Sequence, residues 1–440
     1  MRRKLLENRI HIGLVAATVV MIILRILLNE KGRVTPDSIR FMRTSHVFPV
    51  IDNTTTPLGY PLSIKFFTLF GWGEFWASKV VGILALCAIL YFAKKKKFLF
   101  RETVMVGSLF SFVSIFASTL SESLMLPCIF LFLYICRLHI IGESKEWQAF
   151  AQISFSLILM YLVRYSAVFF MGGVFLFGIF NYKKHYSKTF IGAALTGFLF
   201  VALYKTLFID YFNPDYLGNA IEPSISSASQ LVNELFYGWA TSFNPFIHIS
   251  NPGGGLVNFA IYGVGFLNIA VAAILFIKNK LSETERFFVF SGIIGTACTF
   301  LIQFIYVTDA LDYRLLAPFS FPLWLVYFKK IYQVLGRLSY LVPALSLATG
   351  LAFILLSRSN FLENRRAAAN FLDQEKLRDA PLKFYRGEDS NFSATQIAEL
   401  LSTVNPNIRF TENPKDTLQK TTLTAHKVLR KIKIDTNKFQ

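Results

Sequence analysis

Asp37 and Arg40 stand three residues apart, just after the first apolar block of the chain. In a helix, that spacing sets a carboxylate and a guanidinium on one face. Facing a membrane, such a pair can hold a lipid phosphate through the arginine and take a proton from a hydroxyl through the aspartate. The plainer alternative is that Pro36-Asp37-Ser38 starts a helix whose first turn the carboxylate stabilises. Glu122 lies between two apolar blocks with only Ser121 and Ser123 beside it, either as a turn residue or as an acid of a cavity. Arg164 splits a long apolar stretch, either as a stop at the interface or as a partner for Glu122 or a phosphate. Asp309, Asp312 and Arg314 form a second charged cluster, in which Arg314 is a candidate phosphate contact. Asp52, beside Asn53-Thr54-Thr55, reads as turn chemistry. The six histidines are dispersed and make no zinc site, so no cofactor follows from the residues and a divalent metal has no ligand cluster behind it.

These residues must be positioned by membrane helices. Of the 440 residues, 54% are hydrophobic, and the mean hydropathy is +0.47. The apolar residues fall in blocks of roughly 15–20, the length that crosses a ~30 Å hydrocarbon core. The fold class is therefore an all-α polytopic membrane protein. About eleven spans are expected, at 10–28, 75–93, 103–120, 123–140, 149–163, 166–180, 189–208, 256–277, 287–307, 314–328 and 339–357. The first follows a basic start without a small-residue cleavage site and reads as a retained span. Cys87, Cys128, Cys136 and Cys298 all lie in apolar blocks, as buried thiols rather than a disulfide framework.

The net charge of +18 would suggest nucleic acid in a soluble chain. Here the basic residues crowd alternate short loops, such as Lys94 to Lys97 and Lys183 with Lys184, while 209–255 has no lysine or arginine. That is an orientation signal with the N-terminus cytoplasmic, and nucleic acid is excluded as a partner. Residues 1–357 then form the membrane domain, with outer loops at 29–74 and 209–255. Residues 358–440 form a small extracytoplasmic domain with a capped helix at 393–401. Loop 209–255 suits either a mobile acceptor-binding loop or a plain connector. Arg25, Lys79 and Lys205, near outer span ends, are expected to snorkel to the headgroups. Within the first loop, the apolar run Pro57 to Phe70 is broken only by Ser63 and Lys65 and suits an interfacial helix.

The layout resembles the GT-C superfamily of integral-membrane glycosyltransferases, in the branch of protein O-mannosyltransferases and the lipid A aminoarabinose transferase. The residues that carry this are Asp37 after the first span and Pro57-Leu58-Gly59-Tyr60-Pro61-Leu62 before the interfacial helix. They include Ser121-Glu122-Ser123-Leu124, Arg164-Tyr165 and Asp312-Tyr313-Arg314-Leu315-Leu316-Ala317-Pro318, each at an outer junction. The match is good over about the first 180 residues and weak between 210 and 300.

The resemblance implies a sugar donor on a polyprenyl phosphate, reached from the membrane, and an acceptor protein, glycan or lipid outside. Asp37 would be the general base. Arg40 and Arg314 would hold the donor phosphate, and Glu122, Arg164 and Tyr60 would shape the cavity and position the acceptor. Relatives carry an acidic residue, a lysine or a histidine just before the proline of the motif, where this chain has Thr55-Thr56. Lys65 is then the candidate replacement as a phosphate ligand, against the alternative of a surface lysine. The compact loops suit a bacterial inner membrane and a role in the cell envelope. The runner-up function is a transporter or flippase of a lipid-linked glycan, which would show internal repeats and charges at mid-membrane depth. A third is a non-enzymatic assembly factor that binds through its outer tail.

Overall fold

Helix runs through every apolar block, and polar residues set the breaks. The computed structural model describes residues 2–29, 34–214, 227–247, 255–306, 311–385 and 392–411. The first elements are α1 (Arg2–Leu28), α2 (Pro36–Val47), α3 (Gly59–Thr68) and α4 (Glu74–Lys96). They are followed by α5 (Phe100–Gly107), α6 (Phe110–Ala117), α7 (Ser121–Ile140), α8 (Glu146–Val163), α9 (Val168–Phe180) and α10 (Ser187–Tyr204). The remaining long helices are α11 (Ala228–Ser242), α12 (Leu256–Lys278), α13 (Glu283–Ile305), α14 (Tyr313–Leu335) and α15 (Leu341–Leu356). A terminal unit adds α16 (Phe361–Gln374), β1 (Leu382–Tyr385), α17 (Phe392–Ser402) and β2 (Ile408–Thr411).

Among the described residues, seven helical segments are long and apolar enough to cross a membrane, or eight if the bent pair α5–α6 is one span. This is a multi-pass membrane fold with fewer full-length spans than the eleven expected. The third expected span bends by 76° between α5 and α6. At the bend Ser108 bonds back to the Val104 carbonyl, and Ser346 accepts the Phe110 N–H that begins α6. The stretch 165–180 opens with a short 3-10 turn and is too short to count as a full span. Helices α14 and α15 form one continuous apolar segment, Tyr313–Leu356. Within 209–255, α11 replaces the expected loop, and Asp215, Glu222, His248, Gly253 and Gly254 lie outside the described residues.

Two of the three cations expected to snorkel are buried instead. Lys79, 2% exposed, donates to the Ala117 carbonyl at 3.1 Å and to the Thr119 hydroxyl at 3.0 Å. It thereby satisfies a backbone acceptor at the C-terminal end of α6, where carbonyls lack helical partners. Arg25 lies over the Phe110 ring, 4.7 Å from its centroid. Lys205 stays partly exposed and pairs with Asp210 at 2.6 Å.

Helix α4 meets α6 closely at Gly82, where a Cβ would come within 2.1 Å of the Phe116 carbonyl oxygen. Gly82→Ala is expected to destabilise the bundle by about 1–3 kcal/mol. Gly13→Ala, where a Cβ meets nothing within 4 Å, should be neutral. Thermal unfolding in detergent compares the two.

The ends of α1 and α15 lie together: Asn29 pairs with Arg358, and the Ser359 N–H donates to the Leu28 carbonyl. Residues beyond α15 therefore sit on the same side of the bundle as the first loop. There, β1 and β2 pair in parallel, Leu382 against Ile408, a small departure from an all-helical chain. Phe361, Leu372, Phe384 and Leu401 share an apolar cluster with Ile39 and Met42 of α2 and Phe75 of α4. The capped helix expected at 393–401 begins one residue earlier, at Phe392.

Candidate functional site

Thr35 caps α2, accepting from the Ser38 N–H while the Ser38 hydroxyl accepts from the Thr35 N–H, and Pro36 fills the first turn. Asp37 is thus in the first turn of a helix, as the plainer reading held, and shares a face with Arg40 at 3.4 Å, as the other held. The two readings are compatible. A second cation, Arg314, reaches the other Asp37 oxygen at 3.8 Å from the first turn of α14. Asp312 holds that turn by accepting from the Leu315 N–H at 2.9 Å. Asp309 lies outside the described residues.

From Arg314 the charges continue inward. Its Nε is 3.8 Å from Glu122 Oε1, and Arg164 Nη1 is 3.1 Å from Glu122 Oε2. Glu122 opens α7 with its side chain 1% exposed, where the helix dipole also favours a negative charge. Arg164 closes α8 in extended backbone, and Ser121 and Ser166 accept from its guanidinium. The row is Arg40, Asp37, Arg314, Glu122, Arg164, with signs alternating throughout. Among the described residues the row joins three guanidiniums and two carboxylates. Glu122 is buried and Arg164 beyond it half-buried, while Asp37 toward the outer end is 39% exposed.

Tyr60, fully buried on α3, packs edge-on against Phe41 at 5.0 Å. Burial is the main reason that its hydroxyl is pushed up in pKa, and the nearby Glu122 charge acts in the same direction. Helix α3 is pressed against the end of α8, since a Cβ on Gly59 would meet the Leu162 carbonyl oxygen at 2.6 Å. The Tyr165 hydroxyl donates to the Thr54 carbonyl at 2.9 Å. The motif around Tyr60 therefore fixes the first loop directly beside Arg164.

Lys65 is not brought to this row. Its ammonium donates to the His46 carbonyl at 3.3 Å. His46 is nine residues beyond Asp37, about 13 Å along α2 at 1.5 Å per residue. Its expected place as a phosphate ligand is therefore corrected to a tie across the far end of α2. Asp52 is also more than turn chemistry. Asn53 makes the turn, accepting from the Thr55 N–H at 2.7 Å, while Asp52 binds Arg43 and, at 2.7 Å, Arg409 of β2. Burial lowers the Arg43 pKa, with Asp52 opposing the shift. Nothing in the sequence signals a partner 357 positions away. Among the described residues no group of three or more His, Cys, Asp or Glu could hold a metal ion.

No family model matches the chain, and no curated protein matches it. Two solved structures are similar to it, both of ArnT from Cupriavidus metallidurans, a GT-C lipid A aminoarabinose transferase. The apo state has 11% identity and a TM-score of 0.43, covering 92% of this chain and 86% of that one. The state bound to undecaprenyl phosphate has 13% identity and a TM-score of 0.41, covering 92% and 87%. At this distance the likeness assigns no residue and no substrate to the chain.

Proposed function

We propose that this protein is a membrane glycosyltransferase that moves a sugar from a polyprenyl-phosphate donor to an acceptor on the extracytoplasmic side. The observation that carries the reading is the alternating row with Asp37 held between Arg40 and Arg314. A row that sets Arg40 and Arg314 on either side of one exposed carboxylate suits an incoming phosphate. Its exposed carboxylate suits an acceptor hydroxyl arriving from water.

In the transfer, the bond between the anomeric carbon and the phosphate oxygen breaks, and the acceptor oxygen bonds to that carbon. Asp37 takes the acceptor proton, and the bonding pair leaves on the polyprenyl phosphate. Negative charge grows on the leaving oxygen, where Arg40 and Arg314 stabilise it. A single displacement inverts the anomeric centre. Glu122 and Arg164 act behind Arg314, holding its guanidinium in place, and Tyr60 keeps α3 against that inner wall.

The charges gather at the ends of α7, α8 and α14 and in α2, which favours surface group transfer over passage through the bundle. With a cytoplasmic N-terminus, the crossing by α1 puts this end outside the cell membrane, together with the described residues beyond α15. Outside, no nucleotide-sugar pool exists, so a lipid-borne donor fits.

Arg40 is more than half exposed and its contact with Asp37 is long, so Arg40→Ala should leave the fold intact. It is expected to raise the donor KM about tenfold, the value of one charge-assisted hydrogen bond, with kcat less affected. The test of the reading itself is release of free polyprenyl phosphate in nanodiscs. Envelope lipid extract serves as donor source, and release is read by mass spectrometry. Wild type should release it in the presence of acceptor. Equal release by wild type and by Arg40→Ala/Arg314→Ala would sink the donor site.

A further inference from the structure

Helix α2 has two working faces. At about 100° per residue, Asp37 and Arg40 lie on one side, Ile39, Met42 and His46 lie roughly opposite, and Arg43 lies at the border between the two. The second face is covered by the terminal unit. Ile39 and Met42 join its apolar cluster, and Arg43 donates to the Pro406 carbonyl at 3.2 Å. His46 Nε2 lies 3.3 Å from the Asn407 amide. Asp52, whose side chain is 10% exposed, ties Arg43 to Arg409. The unit is also anchored to the bundle. Phe361 packs on Phe75 of α4 at 5.8 Å, and Arg365 lies 4.7 Å over the same ring. On its other side, Arg365 donates to the Thr403 carbonyl at 3.0 Å.

The geometry points to the terminal unit as a brace that positions Asp37, with the Arg43–Asp52–Arg409 bridge as its latch. Arg43, Asp52 and Arg409 are positioning residues and touch neither donor nor acceptor. An amphipathic twelve-residue helix on a loop is too short to hold itself in place. On the site side Phe41, Thr44 and Ser45 are buried against α3 and α4 while Asp37 and Arg40 make long contacts, and on the other side Ile39 and Met42 seat the helix in the terminal unit's apolar cluster. The orientation of the carboxylate therefore depends in part on what grips the opposite face. A base displaced by about 1 Å loses roughly a hundredfold in rate, so the brace should be felt in kcat. That part of the inference rests on the proposed transferase reading; the mechanical part does not.

The test is hydrogen exchange by mass spectrometry on the full chain in nanodiscs, with transfer kinetics alongside. Arg409→Ala and Asp52→Asn are each expected to speed exchange of α2 amides about tenfold while those of α7 and α14 hold. Arg409→Lys should restore protection. In kinetics, kcat should fall and the donor KM should rise, since Arg40 shares the helix with Asp37, and both should be rescued by Arg409→Lys. Unchanged α2 exchange in both variants, or equal loosening of all helices, overturns the brace. Loosened α2 with full kcat overturns its coupling to Asp37. Full activity in Asp37→Asn overturns the transferase reading and leaves the exchange result standing.

Discussion

Glu122→Gln is expected to lose about 3–5 kcal/mol of stability, because it removes a buried carboxylate that pairs with two guanidiniums at once. Arg164 and Arg314 approach opposite oxygens of this carboxylate at 3.1 and 3.8 Å, and its side chain is 1% exposed. Glutamine keeps the shape but removes the charge, so two cations face each other in a site that water barely enters. The row then loses the negative charge that stands between Arg164 and Arg314. Thermal unfolding in detergent should show the loss. Combining Glu122→Gln with Arg164→Gln should cost less than the sum, since the second change relieves what the first exposed. An unchanged melting temperature in Glu122→Gln would mean that the inner pair is not a structural element.

Asp37→Asn has the opposite profile. Its carboxylate is part-exposed, and its contacts, at 3.4 and 3.8 Å, are long. Ion pairs of this kind are worth about 0–1 kcal/mol, so the variant should insert and melt nearly as wild type does. Transfer should nonetheless fall by about 10²–10⁴, the usual contribution of a general base. Asp37→Glu, with a base of similar strength on a longer arm, should recover part of it. Stability kept with activity lost separates a catalytic carboxylate from a helix-start residue. Asp37 also stands at the start of α2, and that role alone would cost a little stability and no activity.

Five charged residues stand out in the sequence because each broke a local pattern. Glu122 and Arg164 interrupt apolar blocks, Asp37 and Arg40 share a helical spacing, and Arg314 opens a late block. All five meet in one row. Lys65 broke the same kind of pattern but turned to the far end of α2, because spacing does not say which way an interfacial helix points. Lys79 and Arg25 were read as snorkelling since hydropathy cannot see the bend between α5 and α6. That bend creates a buried carbonyl for the ammonium, and Phe110 beyond it offers a ring to the guanidinium. The Asp52–Arg409 pair was invisible for a third reason. It depends on the folded position of a terminal strand, which local sequence does not determine. The multi-pass membrane character was legible from hydropathy, whereas the number of full spans was not, because short and bent helices resemble long ones in a sliding window.

The central claim is that Asp37 makes a glycosidic bond, and the most direct measurement is mass spectrometry of surface glycans and glycoproteins in three strains. These carry the wild-type chain, a deletion, and Asp37→Asn at matched membrane abundance. The account expects deletion and Asp37→Asn to lose the same sugar mass, which then identifies the transferred residue. A deletion that changes the profile while Asp37→Asn leaves it intact would contradict the account. The protein would then move or assemble glycans without forming the bond at Asp37.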